Sequence, residues 1–345
     1  MSKNVIVNGR SYAAPIAPLV VVCVDGSEPG YIEEAVKTGK APFFKKVIDA
    51  GMNRIAQCVV PSFTNPNNLS IATGRPPIVH GICGNYLIDP DTGEEVMMND
   101  VRFLRAPTLF KAFYDAGARV AIVTAKDKLR ALLGAGLEFD QDRAKCYSAE
   151  KSDTSTQAEH GQDAASKWLG MAQPEVYSAE LSEFVFAAGV KLLREWKPDI
   201  MYLTTTDYVQ HKYAPDQDEA KAFYEMFDKY LGQLDALGAA IAITGDHGMK
   251  PKHHADGSPS VVYIQDVLDE WLGEAAARLG LDREQAARMA LTTVEGAAQL
   301  ASEADDSPGA LADRVASSGG STREGMNMLD ADEALIALLT RTLAA

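Results

Sequence analysis

The chain has 345 residues, 46% of them hydrophobic and 23% charged, and a formal net charge of −15. This length predicts one large α/β domain with room for an inserted lobe, and the composition is ordinary for a soluble globular protein. The acidic balance argues against nucleic acid or an anionic membrane as a partner, and no apolar run approaches the roughly 18 residues that span a bilayer.

The first predicted element is a strand. Residues 18–24 form a valine-rich apolar run that ends at Asp25, which is typical of a buried parallel strand. A helix is predicted over residues 31–50, with an interruption near Pro42 because proline does not continue a helix. Residues 52–60 predict a second strand.

A helix is predicted after that strand, and its N-terminus is suited to bind a phosphate. Asn65 is a favourable N-cap and Pro66 a favourable first helical residue. Thr64 would then lie just before the helix N-terminus, where exposed N–H groups and the helix dipole favour a phosphate. A glycine-punctuated loop follows over residues 80–86 and contains Asn85.

The middle of the chain repeats the alternation of helix and strand. A helix predicted over residues 107–116 precedes a third strand over residues 118–124. That strand leads into residues 125–130, a basic patch that contains Lys126 and Lys128 in an acidic protein. The two lysines could bind an anionic group of a substrate or form a solvated surface patch, and the sequence leaves both interpretations open.

The second half begins with residues 141–177, which are polar and weakly patterned and predict a surface excursion. Two amphipathic helices and two strands follow: residues 178–196 and 218–237 are helical, while residues 199–206 and 239–245 are strands that lead to Asp207 and Asp246. From about residue 267 the chain is rich in alanine and acidic residues. Residues 301–325 predict a loose segment.

Two of the three aspartates at strand ends have a histidine close by. His211 follows Asp207 by four residues, so both side chains would lie on one face of a helix and could bind one ion. His247 follows Asp246 directly. Each pair also has a structural interpretation, since Asp207 could cap a helix and His247 could be a buried histidine bonded to the backbone.

The predicted topology brings these groups together. Ligands bind beyond the carboxyl ends of parallel strands, so Asp25, Asp207 and Asp246 are expected at one edge of the sheet. A zinc-like cation takes about four ligands, and two ions roughly 4 Å apart can assist a displacement at phosphorus by a nucleophile such as Thr64. The sequence therefore predicts a two-metal site in an α/β fold whose mostly parallel central sheet is flanked by helices on both faces.

On several ordered motifs the chain resembles the alkaline phosphatase superfamily, and within it the nucleotide pyrophosphatase/phosphodiesterase branch. The motifs are Asp25-Gly26, residues 61–68, Asn85, the spacing from Asp207 to His211, and residues 244–249. Residues 7–12, 23–29 and 124–130 further resemble the phosphonoacetate hydrolases of that branch. The similarity implies an alkaline phosphatase-like metallohydrolase core over residues 1–271.

The resemblance implies a zinc enzyme that hydrolyses the carbon–phosphorus bond of phosphonoacetate to acetate and phosphate through a phosphothreonine. Thr64 would be the nucleophile, Asn85 would bind a phosphoryl oxygen, and Lys126 and Lys128 would bind the substrate carboxylate and stabilise the departing acetate. The two zinc ions would have the following ligands: Asp25, Thr64, Asp246 and His247 for one, and Asp207, His211 and a histidine near the C-terminus for the other.

The C-terminal part departs from that family. The third ligand of the second zinc lies in a Ser-His-Gly-Gly segment, and its counterpart here, residues 317–320, has serine in place of histidine. His253 or His254 could substitute. Without a third ligand, the second zinc would keep only the Asp-His pair and bind weakly. Residues 272–345 are predicted as an atypical segment, rich in alanine and acidic residues and mainly helical or loose.

Three functional interpretations follow from the sequence. The first is a phosphonoacetate hydrolase impaired by its tail, the second a phosphodiesterase or phosphatase of the same superfamily, and the third a metal-poor protein that keeps the fold without turnover. The expected partners are a small anionic phosphonate, no nucleic acid and no membrane, with a homodimer allowed. Residues 1–10 lack the apolar segment of a signal peptide, so a cytoplasmic location is expected.

The cysteines indicate no cross-linked framework. All four, Cys23, Cys58, Cys83 and Cys146, lie far apart in the sequence, which argues against a disulfide scaffold or a zinc finger. Cys23 and Cys58 occur in apolar runs and are expected to be buried free thiols.

Overall fold

The structure, a computed structural model, describes residues 4–89, 92–263, 273, 277–278, 280–304, 306–316, 323 and 327. The chain divides into two compact units, Met1–Lys250 and Pro251–Ala345. The boundary that the sequence predicts near residue 271 stays a prediction. Among the described residues, no helix combines the length and the apolar character needed to cross a membrane.

The elements alternate as the sequence pattern indicates. The described strands are β1 (Val5–Val7), β2 (Arg10–Tyr12), β3 (Leu19–Cys23), β4 (Tyr86–Ile88), β5 (Glu95–Met97), β6 (Val120–Thr124), β7 (Ala144–Ser148), β8 (Ile200–Thr204) and β9 (Ala240–Thr244). The described helices are α1 (Pro29–Lys37), α2 (Pro42–Ala50), α3 (Thr64–Thr73), α4 (Pro77–His80), α5 (Leu109–Asp115), α6 (Asp127–Leu133), α7 (Gln157–His160), α8 (Ala165–Leu169), α9 (Glu180–Glu195), α10 (Asp218–Ala236), α11 (Arg283–Glu303) and α12 (Pro308–Val315), with a 3₁₀ turn at Val101–Phe103.

A five-stranded parallel sheet in the order β7-β6-β8-β3-β9 organises the first unit. Its register aligns the last residues of neighbouring strands: Cys23 pairs with Thr204 on one side and Thr244 on the other, and Thr124 also pairs with Thr204. The loops that carry the predicted site residues therefore leave the sheet at one level.

Successive residues of each central strand point to opposite faces of the sheet. On β8, Met201 and Leu203 belong to the apolar cluster that contains residues of α1, α2, α9 and α10. Ile200 and Tyr202 belong to the cluster that contains residues of α3, α5 and α6. Helices thus cover both faces, and the predicted α/β fold with a central, mostly parallel sheet is confirmed.

The strand predicted over residues 52–60 is wrong. Among the described residues, this segment is assigned to no strand, and the sheet ends at β9. Ile55 is 78% exposed, and the backbone N–H of Val59 donates to the Asn67 side chain of α3 at 2.8 Å. Cys58 is exposed as well, so its predicted burial is also wrong.

The surface excursion predicted over residues 141–177 is wrong for β7. All five residues of this strand are buried beside β6. Lys145 interrupts the apolar pattern of this strand, which is why the sequence does not predict it. Its ammonium group donates a hydrogen bond to the Gly161 carbonyl at 2.6 Å and lies 5.4 Å from the centre of the Trp196 ring. A lysine satisfied in this way is compatible with a buried strand.

The described part of the second unit contains two capped helices. The Asp282 side chain accepts hydrogen bonds at the N-terminus of α11, and the Ser307 side chain does so for α12. The helix α12 occupies part of the segment that the sequence predicts to be loose. Residues 317–320, where the sequence lacks the expected histidine, lie outside the described residues.

Candidate metal and phosphoryl-transfer site

Three predicted ligands meet beyond the carboxyl ends of β3, β8 and β9. Ligand atoms of Asp25, Asp207 and His247 all lie within 4.8 Å of one another. The backbone N–H of Asp25 donates to Thr205 Oγ1 at 3.0 Å, which ties the β3 end to the β8 end. This is a compact oxygen and nitrogen ligand set of the kind that binds divalent cations.

The side chain of His247 is oriented for such a role. Its Nδ1 lies 3.0 Å from the Gly248 carbonyl, which can only accept, so Nδ1 carries the proton. The other ring nitrogen, Nε2, lies 3.2 Å from Asp25 Oδ1. A histidine whose second nitrogen donates to a backbone carbonyl has the tautomer that metal ligands use.

The local electrostatics also fit a cation. Asp25 Oδ1 is buried and faces His247 Nε2, with no other hydrogen-bond partner in the described part of the chain. Burial raises the pKa of Asp25, and the negative charge of Asp207 raises it further, although His247 opposes both effects. Burial and the Asp25 carboxylate raise the pKa of Asp246 to about 8. A divalent cation would relieve the repulsion between these carboxylates.

The pKa of His247 responds to the same charges. Burial lowers the pKa of this imidazole, but the neighbouring Asp25 and Asp246 carboxylates outweigh burial and raise it to about 9. A metal ligand must be neutral at the ligating nitrogen, so a cation here would displace a proton from His247.

The Asp246 carboxylate is held from three directions. Its Oδ1 accepts the backbone N–H groups of Gly26, at 3.2 Å, and of His247, at 3.0 Å. Its Oδ2 accepts the side-chain amide of Asn68 at 2.9 Å. These hydrogen bonds fix Asp246 beside the cluster of Asp25, Asp207 and His247.

Gly26 allows the β3 and β8 ends to approach. Its φ is +69°, and a β-carbon on it would lie 3.1 Å from Asp207 Cβ. A larger residue would be strained in this backbone conformation and would press on Asp207.

Asp207 and His211 form the predicted pair one helical turn apart. The His211 backbone N–H donates to the Asp207 carbonyl at 2.9 Å, and His211 Nε2 lies 2.9 Å from Asp207 Oδ2. Asp207 Oδ1 also lies 3.9 Å from Lys126 Nζ. Asp207 is therefore shared between His211 and the Asp25 cluster, and the division of ligands between two ions stays a prediction.

A cleft of about 510 Å³ adjoins these ligands. Seven predicted site residues line it: Asp25, Thr64, Asn85, Lys126, Lys128, Asp207 and His211. The other two, Asp246 and His247, line a neighbouring groove of about 680 Å³. The structure thus brings the predicted nucleophile, both lysines and the acidic cluster to one side of the sheet.

Thr64 is the first residue of α3 rather than the residue before it. Asn65 is not the N-cap, because its buried side chain donates to the Met98 carbonyl at 3.1 Å instead. Thr64 still lies in the first turn of α3, the end of a helix whose dipole favours a phosphate.

The remaining predicted groups are positioned around the cleft. Asn85 Oδ1 is buried and has no hydrogen-bond partner among the described residues. Lys126 precedes α6 and is about a quarter exposed, while Arg130 of the same basic patch is paired with Asp127 at 2.7 Å. Among these basic residues, the two lysines line the cleft and the arginine does not.

Several cleft residues were missed by the sequence reasoning. Thr205, Tyr208 and Lys212 line the cleft, and Lys212 Nζ donates to the Tyr208 hydroxyl at 2.8 Å. Tyr208 and Lys212 are four residues apart, each one residue after Asp207 and His211, and this spacing was the signal for them in the sequence. His253 and His254 lie exposed at the start of the second unit, where His253 forms an isolated bridge with Pro259, and their predicted substitution for the missing ligand stays a prediction.

Comparison with known proteins places this geometry in a family. The family model described as type I phosphodiesterase / nucleotide pyrophosphatase matches residues 19–320. Ectonucleotide pyrophosphatase/phosphodiesterase 1 of Saccharomyces cerevisiae is 25% identical over an alignment of 296 residues that covers 77% of this chain and 38% of the yeast protein.

Two solved structures are much more similar. Phosphonoacetate hydrolase from Sinorhizobium meliloti 1021 in complex with phosphonoformate is 70% identical, with a TM-score of 0.74, over 79% of this chain and 66% of that chain. The same hydrolase in complex with phosphonoacetate is 69% identical, with the same TM-score and coverage. This chain thus spans about two fifths of the yeast relative and just under two thirds of the solved chains. It belongs to the type I phosphodiesterase / nucleotide pyrophosphatase family.

Proposed function

We propose that this chain is a zinc-dependent hydrolase of the carbon–phosphorus bond of phosphonoacetate. The observation that carries the proposal is the 70% identity to a phosphonoacetate hydrolase, with 69% identity to its complex with phosphonoacetate. The cleft supports it, because Thr64, Asn85, Lys126 and Lys128 line it together with Asp25 and Asp207.

Thr64 would act as the nucleophile. Its Oγ forms a bond to phosphorus while the carbon–phosphorus bond breaks, and the electron pair of that bond leaves on the acetate carbon. The acetate carbon takes a proton from water, and the proton that Thr64 loses returns to the hydroxide that this leaves. A second water molecule then attacks the phosphothreonine, which releases phosphate and restores the hydroxyl.

Other residues of the cleft would stabilise the charge that moves. Lys126 and Lys128 bind the substrate carboxylate and the negative charge that develops on the departing acetate. Asn85 donates its amide to a phosphoryl oxygen. Zinc ions held by the Asp25, Asp207, Asp246 and histidine ligands would lower the pKa of the Thr64 hydroxyl and offset phosphoryl charge.

A phosphate-release assay tests the proposal directly. The purified chain should release phosphate from phosphonoacetate, and added zinc should increase the rate if the Asp207/His211 ion binds weakly for want of a third ligand. No phosphate release at any zinc concentration would overturn it. Metal analysis separates the metal-poor interpretation, which requires one zinc ion or none per chain.

Phosphodiester hydrolysis is the second candidate, favoured by the family model and the yeast relative. Lys126→Ala discriminates between the two. It should lower kcat/KM for phosphonoacetate by roughly 100-fold or more but spare an aryl phosphodiester, which carries no carboxylate. Lys151→Ala, at an exposed lysine outside the cleft, is the matched control. Equal losses on both substrates would contradict the assigned role.

A further inference from the structure

Asn68 is fully buried in α3, one helical turn after Thr64. Its side-chain amide donates to the Thr64 carbonyl at 3.1 Å and to Asp246 Oδ2 at 2.9 Å. A carbonyl and a carboxylate can only accept, so the nitrogen of the Asn68 side chain must face both of them. One side chain thereby connects the helix of the predicted nucleophile to Asp246, a predicted metal ligand beside the cluster.

The opposite side of Asn68 is held by the sheet. Its Oδ1 accepts the hydroxyl of Tyr202 at 2.8 Å, and Thr204 Oγ1 lies 3.5 Å away. Tyr202 is buried in the middle of β8, where it packs against Phe110 with ring centroids 5.2 Å apart. Because Tyr202 is rigidly packed, it fixes the rotamer of Asn68 from behind.

The hydrogen bonds of Asp246 show which acceptor positions of its carboxylate are already used. A carboxylate oxygen has two acceptor positions. Both positions of Oδ1 are used by backbone N–H groups, of Gly26 and His247. Among the described residues, Oδ2 accepts one hydrogen bond, from Asn68, which leaves its second acceptor position unused.

We propose that Asn68, oriented by Tyr202, is a positioning residue that presents the remaining acceptor position of Asp246 Oδ2 to a divalent cation. The inference rests on the metal-dependent function proposed above and assigns this role to a neutral amide outside the ligand set. An amide suits the position because it supplies a strong donor without adding charge. Partners of metal-binding carboxylates typically change metal affinity about 10–100-fold when removed.

The same helix offers a matched control. Asn67 is also buried in α3, and among the described residues its side chain bonds only to backbone: Nδ2 donates to the Phe63 carbonyl at 2.9 Å, and Oδ1 accepts the N–H of Val59 at 2.8 Å. Asn67→Leu and Asn68→Leu therefore impose similar packing and lost hydrogen bonds. They differ in that only Asn68 contacts Asp246 and the strand residues Tyr202 and Thr204.

The test measures zinc affinity of the full chain by equilibrium competition with a chromophoric chelator. Asn68→Leu should weaken zinc binding by about 10–100-fold, while Asn67→Leu stays close to the wild type. Equal zinc affinities for the two variants would overturn the inference, even where Asn68→Leu loses activity. This readout separates positioning of a ligand from general destabilisation of α3.

Tyr202→Phe covers the case in which Asn68→Leu does not fold. It removes one hydroxyl and leaves Asn68 in place, so it should weaken zinc binding less than Asn68→Leu does. Unchanged zinc affinity in a folded Tyr202→Phe would then overturn the inference. A wild-type chain that binds no zinc overturns the proposed metal chemistry and this inference together, whereas wild-type binding isolates the role of Asn68.

Discussion

Gly26 couples backbone conformation to the acidic cluster. Gly26→Ala should displace Asp207, because the added β-carbon would lie 3.1 Å from Asp207 Cβ at a φ of +69°. A shift of about 1 Å at a reacting centre can lower the rate by about 100-fold. We expect weaker zinc binding and slower phosphate release, measured by chelator competition and by the phosphate assay.

Gly39→Ala is the control for backbone strain. Gly39 has a φ of +75° but nothing within 4 Å of an added β-carbon. Both variants should lose stability by about 1–3 kcal/mol from strain, whereas the loss of zinc affinity should be confined to Gly26→Ala. Similar zinc binding by both variants would show that Gly26 has no special role in the site.

His80 makes stability depend on pH. Burial lowers the pKa of its imidazole from the ordinary 6.5 to about 4. Nδ1 accepts the Ile82 N–H at 3.2 Å, so the folded state favours the neutral ring. Between pH 6.5 and 4 the unfolded chain binds a proton that folded His80 resists, so stability falls as the pH falls, by at most about 1.4 kcal/mol per pH unit.

His80→Asn tests this directly, because an amide oxygen can replace Nδ1 as the acceptor but does not titrate. Urea midpoints measured from pH 7 to pH 4 should decline less steeply in the variant than in the wild type. Parallel declines would assign the acid sensitivity to other groups.

At the residue scale, the sequence predicted the charged and nucleophilic groups but not the neutral residues that hold them. Asp25, Asp207 and His247 could be located because strand ends align in a parallel sheet. The contact between Asn68 and Asp246 joins residues 178 positions apart, and no local pattern reveals it. The N-cap at Asn65 failed because burial against Met98 outweighed the local capping preference.

Between helices, Asp228 of α10 provides a cap for another element. Its buried carboxylate accepts the backbone N–H groups of Phe43, at 3.2 Å, and Phe44, at 2.6 Å, at the start of α2. Asp228→Ala would leave these N–H groups unsatisfied, so we expect a loss of about 1–3 kcal/mol in the free energy of unfolding, measured by urea titration.

The same two helices supply the comparison. Asp235 of α10 pairs with Lys46 of α2 at 2.6 Å, but both side chains are substantially exposed. An exposed ion pair contributes about 0–1 kcal/mol, so Asp235→Ala should change stability little. If both variants lost equal stability, the burial of Asp228 would not explain its effect.

The elements that the sequence predicted share one property: their apolar pattern is visible in local composition, even in the edge strand β9, which is not buried. The strands β3, β6, β8 and β9 are short apolar runs, and α9 and α10 are amphipathic. Residues 52–60 have the composition of a strand, but a strand also needs a neighbouring strand to pair with, and local composition does not show whether one is available. The strand β7 is buried although its composition does not predict it, because Lys145 donates a hydrogen bond to the carbonyl of Gly161, which lies outside the strand.

For the whole molecule, zinc should act as a stabilising ligand. A cation that binds only the folded state stabilises it by about 2.7 kcal/mol at 100 times its Kd. We therefore expect zinc to raise the Tm of the chelator-treated protein, as followed by calorimetry. Asp25→Asn, which removes a buried carboxylate charge from the cluster, should abolish most of this rise. A Tm indifferent to zinc in the wild type would argue against a built metal site.

The difference in burial among the cysteines allows thiol labelling to report local opening of the fold. Cys58 and Cys83 are exposed, whereas Cys23 and Cys146 are buried. Burial raises the pKa of Cys146 to about 12 and that of Cys23 well above its ordinary value, so neither buried thiol reacts while folded. A thiol reagent should therefore label two cysteines quickly and two slowly. Cys23 lies two residues before Asp25, so its labelling rate measures how often β3 opens near the metal ligands. Zinc should lower the labelling rate of Cys23 without changing the labelling rate of Cys58.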